Sequence, residues 1–142
     1  MNRQDVLVDW FRRVWIDGDL AAIDDYFAPG DAVAEGILTG GRIGAEDFRA
    51  LVPAIRAQLR DIDGTMNRVI EDGDWLCAHY TMRALSAHST TPVEAAGLLM
   101  MRIADGKVRE AYNNFDFLPF FEQLGLLPAD SLMLLLSGER LS

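Results

Sequence analysis

Two Asp-Gly pairs, Asp72-Gly73 and Asp105-Gly106, constrain this chain more than any other feature of it. Asp-Gly favours the positive backbone angles of two-residue hairpin turns, and each pair separates two stretches with strand-like composition. The four stretches cover about residues 62–71, 75–87, 93–104 and 107–117, with a polar turn at 88–92 joining the two hairpins. This order predicts a four-strand antiparallel meander. Strands of that length twist and curl, so the sheet has a concave side. The stretch from Trp75 shows which face is which. Leu76, Ala78, Tyr80, Met82 and Ala84 share one side, and Cys77, His79, Thr81 and Arg83 share the other. The first set is the drier and is predicted to face inward.

Helical patterns precede the strands. Val6, Leu7, Trp10, Phe11, Val14 and Trp15 form one broad apolar stripe. Gly18 suits a helix end, and Asp19 is placed to cap a second helix carrying Leu20, Ile23, Tyr26 and Phe27, stopped by Pro29-Gly30. An extended piece at about 32–37 leads to a turn at Gly40-Gly41. A third helix is predicted over 45–59, with Phe48, Leu51, Val52, Ile55 and Leu59 inward and a kink at Pro53. After the strands, Leu118, Phe121 and Leu124 mark a further helix ending at Gly125. The leucine-rich extension at 126–142 reads as helical. Helices first and an antiparallel sheet afterwards is an α+β order, here a single domain over 1–142 with helices closing the concave face of a cone-shaped sheet.

Half of the residues are hydrophobic, enough for a sizeable core. The net charge is −9 and Lys107 is the single lysine, a surface that repels phosphate backbones, so no nucleic-acid partner is expected. The longest apolar run, 132–136, is far short of the ~18 residues a spanning helix needs, so no membrane partner is expected either. Asp5 and Asp9 interrupt any secretory pattern near the N-terminus, and a lone Cys77 fits a reducing compartment; a cytoplasmic location is the expectation. Two histidines, with no cysteine pair and no His-Glu motif, predict no metal site. No glycine elbow surrounds a serine, and "TGGRIG" lacks the lysine of a phosphate loop, so no cofactor is expected.

Three segments, "VWIDGDLAAIDDYFAP", "EDGDWLCAHYTMRA" and "IADGKVREAYNNFDFLPFFEQLG", carry a resemblance. Across residues 5–125 the chain resembles the SnoaL-like polyketide cyclase branch of the nuclear transport factor 2-like superfamily. The resemblance implies an α+β roll around a pocket for a small, mostly apolar or carbonyl-containing molecule, and a homodimer paired through its sheets. It further implies a metal-free cyclase or isomerase step by proton abstraction next to a carbonyl. One fold hosts many functions, so a non-catalytic ligand-binding or dimerisation module of the same fold is the alternative. An epoxide hydrolase is disfavoured, because Tyr80, Met82 and Asn113 occupy the places of its acid–arginine–acid triad.

The same resemblance points to site residues. Asp116 matches an acidic position frequent in this branch, which makes it a candidate base; as the residue between the last strand and a helix, it is equally a candidate N-cap. Glu35 is the second carboxylate that a strand could deliver to an apolar cavity. Trp15, Tyr26, Tyr80, Met82, Asn113 and Phe115 are expected to line the pocket, with Tyr80 and Asn113 as its few polar groups. Met100 and Met101 read as ordinary core. His88 lies near a histidine position common in the family, whereas His79 falls on the wetter face of its strand.

Overall fold

Asp72-Gly73 and Asp105-Gly106 both mark hairpin turns, set in different frames. The computed structural model describes residues 2–27, 33–35 and 42–141, with the strand residues 33–35 and 42–43 described by backbone alone. Strand β3 (Leu59–Asp72) turns into β4 (Trp75–Ser86) through Gly73 and Asp74, with positive φ at Gly73. Strand β5 (Pro92–Ala104) turns into β6 (Lys107–Phe115) through Asp105 and Gly106, both with positive φ. Glycine leads the first turn and follows aspartate in the second, matching the two favoured hairpin geometries. The Pro29-Gly30 stop and the Gly40-Gly41 turn lie outside the described residues.

The sheet exceeds the expected meander by two short strands. Its order is β2-β1-β6-β5-β4-β3, where β1 (Val33–Glu35) and β2 (Arg42–Ile43) extend the β6 edge. β1 pairs parallel to β6, placing Glu35 opposite Tyr112, so the sheet is not purely antiparallel. Register shifts in β3 at Arg60/Asp63 and Met66/Arg68 mark bulges, which bend a strand and deepen its curl.

Helix α1 (Arg3–Trp10) opens with a capping box: the Asp5 amide donates to Asn2 Oδ1 at 2.8 Å, and the Asn2 amide donates to Asp5 Oδ2 at 3.2 Å. It widens into a π-helical segment, Phe11–Ile16. Arg56 secures the end of that segment, its Nε and Nη2 each donating over 3.0 Å to the Trp15 and Ile16 carbonyls. Gly18 ends the segment with a φ of +69°, and a Cβ there would meet the Arg56 guanidinium carbon at 2.6 Å. Asp19 does not cap the next helix. It pairs with Arg13, and α2 (Ala22–Tyr26) begins three residues later without a side-chain cap.

Helix α3 (Ala45–Arg56) runs through Pro53 but stops at Arg56, short of the expected 59. Leu59 instead starts β3. After β6 come α4 (Phe117–Gln123) and α5 (Ser131–Leu136). Gln123 ties α4 to β5, accepting from the Glu94 amide at 2.7 Å and donating to its carbonyl at 2.8 Å.

On β4, Leu76, Ala78, Tyr80, Met82 and Ala84 are all buried, as alternation predicts. Two hydrophobic clusters result. One packs α1, α2 and α3 on the concave face around Trp10, Phe48 and Leu76. The other gathers Leu59, Met82, Val93 and Phe120 beneath α4. Met100 belongs to neither: it is exposed on the outer face, because an even-numbered residue of β5 points away from the core. No helix among the described residues is long and apolar enough to cross a membrane.

Candidate functional site

The seam between the two clusters is not filled. A cavity of about 100 Å³ lies there. Helix α1 and the π-helical segment roof it with Leu7, Trp10, Phe11 and Trp15, and α3 adds Leu51 and Ile55. The strands supply Met66, Tyr80, Met82, Leu99, Asn113 and Phe115, and α4 closes one end with Phe117 and Phe120. Of the residues expected at a pocket, Trp15, Tyr80, Met82, Asn113 and Phe115 therefore border this cavity.

Among the described residues, Asn113 is the one member of this wall outside the hydrophobic and aromatic set. Tyr80 donates its hydroxyl hydrogen to Asn113 Oδ1 at 2.8 Å, and its ring stacks on Phe115 with centroids 6.3 Å apart at 14°. Burial pushes the Tyr80 phenol up to about 12, against a smaller downward pull from the Asn113 hydrogen bond. It therefore stays protonated near neutrality. In this arrangement the Asn113 amide hydrogens remain available. Turning the amide over lets Nδ2 donate to the phenol oxygen and frees the Tyr80 hydrogen for a ligand. Either way the pair keeps at least one hydrogen for an oxygen in the cavity. No Asp, Glu, His, Lys or Arg among the described residues lines it.

The remaining expectations fall elsewhere. Tyr26 does not line the cavity. It is buried with its ring edge-on to Trp10, 6.1 Å away, and its hydroxyl donates to Asp9 beneath Arg13. That polar partner holds it on the far side of Trp10. Asp116 is exposed, neither lining the cavity nor making a side-chain cap bond to α4. Its amide donates to the Ala96 carbonyl at 3.0 Å, and its parity is that of Tyr112 and Asn114, opposite to Asn113. The side chain of Glu35 lies outside the described residues. His88 is exposed in the β4–β5 turn, and exposed His79 meets Asn67 Nδ2 at 3.1 Å on the outer face.

Several wall residues carry no chemical signature that sequence reading would single out. Phe117 and Phe120 belong to the aromatic run "FDFLPFF", the available hint that the chain after β6 folds back over the sheet. Gly97, alone inside the apolar stretch "AAGLLMM", is another missed residue; an isolated glycine in a strand signals close approach of a neighbour.

Comparison with known proteins agrees with this architecture. A family model described as SnoaL-like domain matches residues 7–111. IdmH from Streptomyces antibioticus, described as a candidate polyketide cyclase, superposes with a TM-score of 0.76 at 21% identity, covering 88% of this chain and 99% of that one. AclR from Streptomyces galilaeus, described as a candidate hydroxylase, gives 0.75 at 19% identity over 96% and 89%. A Catenulispora acidiphila protein with a ketosteroid isomerase-like fold, in complex with trimethylamine, gives 0.72 at 17% identity over 89% and 95%. At these identities the likeness establishes the fold alone. No curated protein matches the sequence.

Proposed function

This chain belongs to the SnoaL-like domain family, and from that premise we propose that it binds one neutral, mostly apolar small molecule whose carbonyl or hydroxyl oxygen is held by Tyr80 and Asn113. The observation that carries the reading is the wall itself: apolar throughout, with one hydrogen-bonding pair and no charged side chain among the described residues. An ionised ligand would be stranded there without a counter-charge, which favours neutral compounds. The test compares acetophenone with ethylbenzene, which share a shape and differ in the oxygen. The ketone-to-hydrocarbon affinity ratio in the native protein is expected to fall about 2- to 10-fold, the worth of one neutral hydrogen bond, in the Tyr80→Phe/Asn113→Leu double variant, which removes both possible donors. An unchanged ratio, or no saturable binding of either probe, rejects the reading.

A second reading adds chemistry: a metal-free cyclase or isomerase step by proton abstraction next to that carbonyl. It is supported by relatives described as candidate polyketide cyclases. Tyr80 and Asn113 would then stabilise the enolate oxygen by the hydrogen they offer. The base must come from beyond the described wall, and Glu35, on the strand paired to β6, is the carboxylate assigned to it. Deuterium uptake at the methyl group of acetophenone reports such a base without knowledge of the natural substrate. Native exchange that drops by about 10²–10⁴ in Glu35→Gln and persists in Asp116→Asn supports it; absence of exchange in the native protein leaves binding as the function.

The chain is further proposed to pair with itself through the outer face of the sheet, in the reducing cytoplasm that suits its lone cysteine. Ile70 and Leu98 are 65% and 59% exposed there, beside Met100, and Cys77 and Tyr112 continue the same face. Light scattering should report a dimer at micromolar concentration that Leu98→Arg dissociates; a native monomer refutes this.

A further inference from the structure

The hydrogen bond at the centre of the cavity spans an unusual distance. Tyr80 is on β4 and Asn113 on β6, with β5 between them. Adjacent strands lie about 4.8 Å apart, so the phenol must cross a whole strand to reach its acceptor. It crosses at Gly97, which the ladder places between Tyr80 on one side and Phe115 on the other. Gly97 is buried, and every other inward-facing residue of β5 carries a side chain. A Cβ at position 97 would lie 2.5 Å from Tyr80 Cζ and 2.8 Å from Cε1, with the hydroxyl oxygen nearer still. The ring is also held by its stack on Phe115.

The backbone supplies no other reason for glycine here. Gly97 is outside the left-handed region that demands it, and a glycine inside a strand weakens that strand. We infer that Gly97 is a positioning residue, a notch in the sheet that seats the Tyr80 phenol across β5 and so sets where the Tyr80–Asn113 pair meets the ligand oxygen. The second half of this inference rests on the binding function proposed above; the seat does not.

Two measurements separate the halves. Gly97→Ala is compared in the native and Tyr80→Leu backgrounds by urea unfolding. The notch predicts a clear loss of midpoint in the native background and no loss, or a small gain, once the ring is gone. A Gly97→Ala chain that folds only together with Tyr80→Leu supports the same conclusion. An equal loss in both backgrounds overturns it, since glycine would then be needed for something other than the ring. For the ligand, the acetophenone-to-ethylbenzene affinity ratio in Gly97→Ala should fall by about the same 2- to 10-fold as in the Tyr80→Phe/Asn113→Leu double variant. A native-like ratio in Gly97→Ala, with the double variant reduced, overturns the positioning role alone. A ratio insensitive to the Tyr80→Phe/Asn113→Leu change overturns the proposed ligand contact instead, while the stability comparison still decides the seat.

Discussion

Replacing Asn113 by leucine keeps the approximate shape of the side chain and removes the acceptor of the Tyr80 hydroxyl. Tyr80 is 7% exposed, so its hydroxyl would lose its partner within an apolar wall. Leaving a buried donor unpaired costs ~1–3 kcal/mol, toward the lower end if a water enters the cavity to replace the amide. The reverse change, Tyr80→Phe, strands only a half-buried amide that can turn to the cavity, so its cost should be nearer ~0.5–1.5 kcal/mol. Removing both partners leaves nothing unpaired, and the double variant should lose less than the sum of the singles. Urea unfolding reads all three: at about 2 kcal/mol per molar, Asn113→Leu should lower the midpoint by roughly 0.5–1.5 M. Additive losses, or Asn113→Leu costing no more than Tyr80→Phe, would refute the claim that this bond is a buried, mutually satisfied pair.

The raised Tyr80 phenol makes a prediction about alkaline pH. The unfolded chain loses this proton near pH 10 and the folded chain near 12, so stability is intact below 10 and declines through that window. The decline is on the order of 2–3 kcal/mol, and the Tyr80→Phe variant, otherwise matched, should lack it; parallel stability curves for the two proteins would contradict the burial argument. Phe120 is 1% exposed among Phe115, Phe117 and Phe121, so Phe120→Ala should cost ~3–5 kcal/mol in thermal unfolding, with a loss under 1 contradicting its place in the wall. Arg56→Ala releases two carbonyls at the end of the π-helical segment; increased amide exchange at residues 15–18 is expected, and unchanged protection would show that Arg56 is not what holds them.

Local chemistry made much of this fold readable. Asp-Gly pairs bias the turns themselves, and alternation along β4 assigns Tyr80 and Met82 to the interior without any knowledge of the partner strands. What failed depended on partners distant in sequence. Tyr26 has the composition of a pocket residue, but its direction is decided by Asp9 and Arg13, one α-helix away. The resemblance assigns Asp116 to the site, but β6 ends at Phe115 and Asp116 keeps the parity of Asn114, opposite to the cavity-lining Asn113, so it faces outward. The extended piece expected at about 32–37 contains β1, but its parallel pairing to the edge of β6 has no signature in those few residues. Gly97 was legible as an oddity inside a strand, yet its meaning appears only when Tyr80 is seen lying across it.

The central claim is that a neutral molecule enters the seam between the two clusters and meets Tyr80 and Asn113. Nitrogen–proton correlation spectra of the native protein, titrated with acetophenone, test this directly. Trp10 and Trp15 border the cavity, whereas Trp75 stacks on Tyr112 at the outer face, 6.5 Å between centroids. The account predicts saturable shifts at the Trp10 and Trp15 indole signals and at the Asn113 side-chain amide, with Trp75 unmoved. Shifts confined to Trp75, or no saturable change at the Asn113 amide, would contradict it.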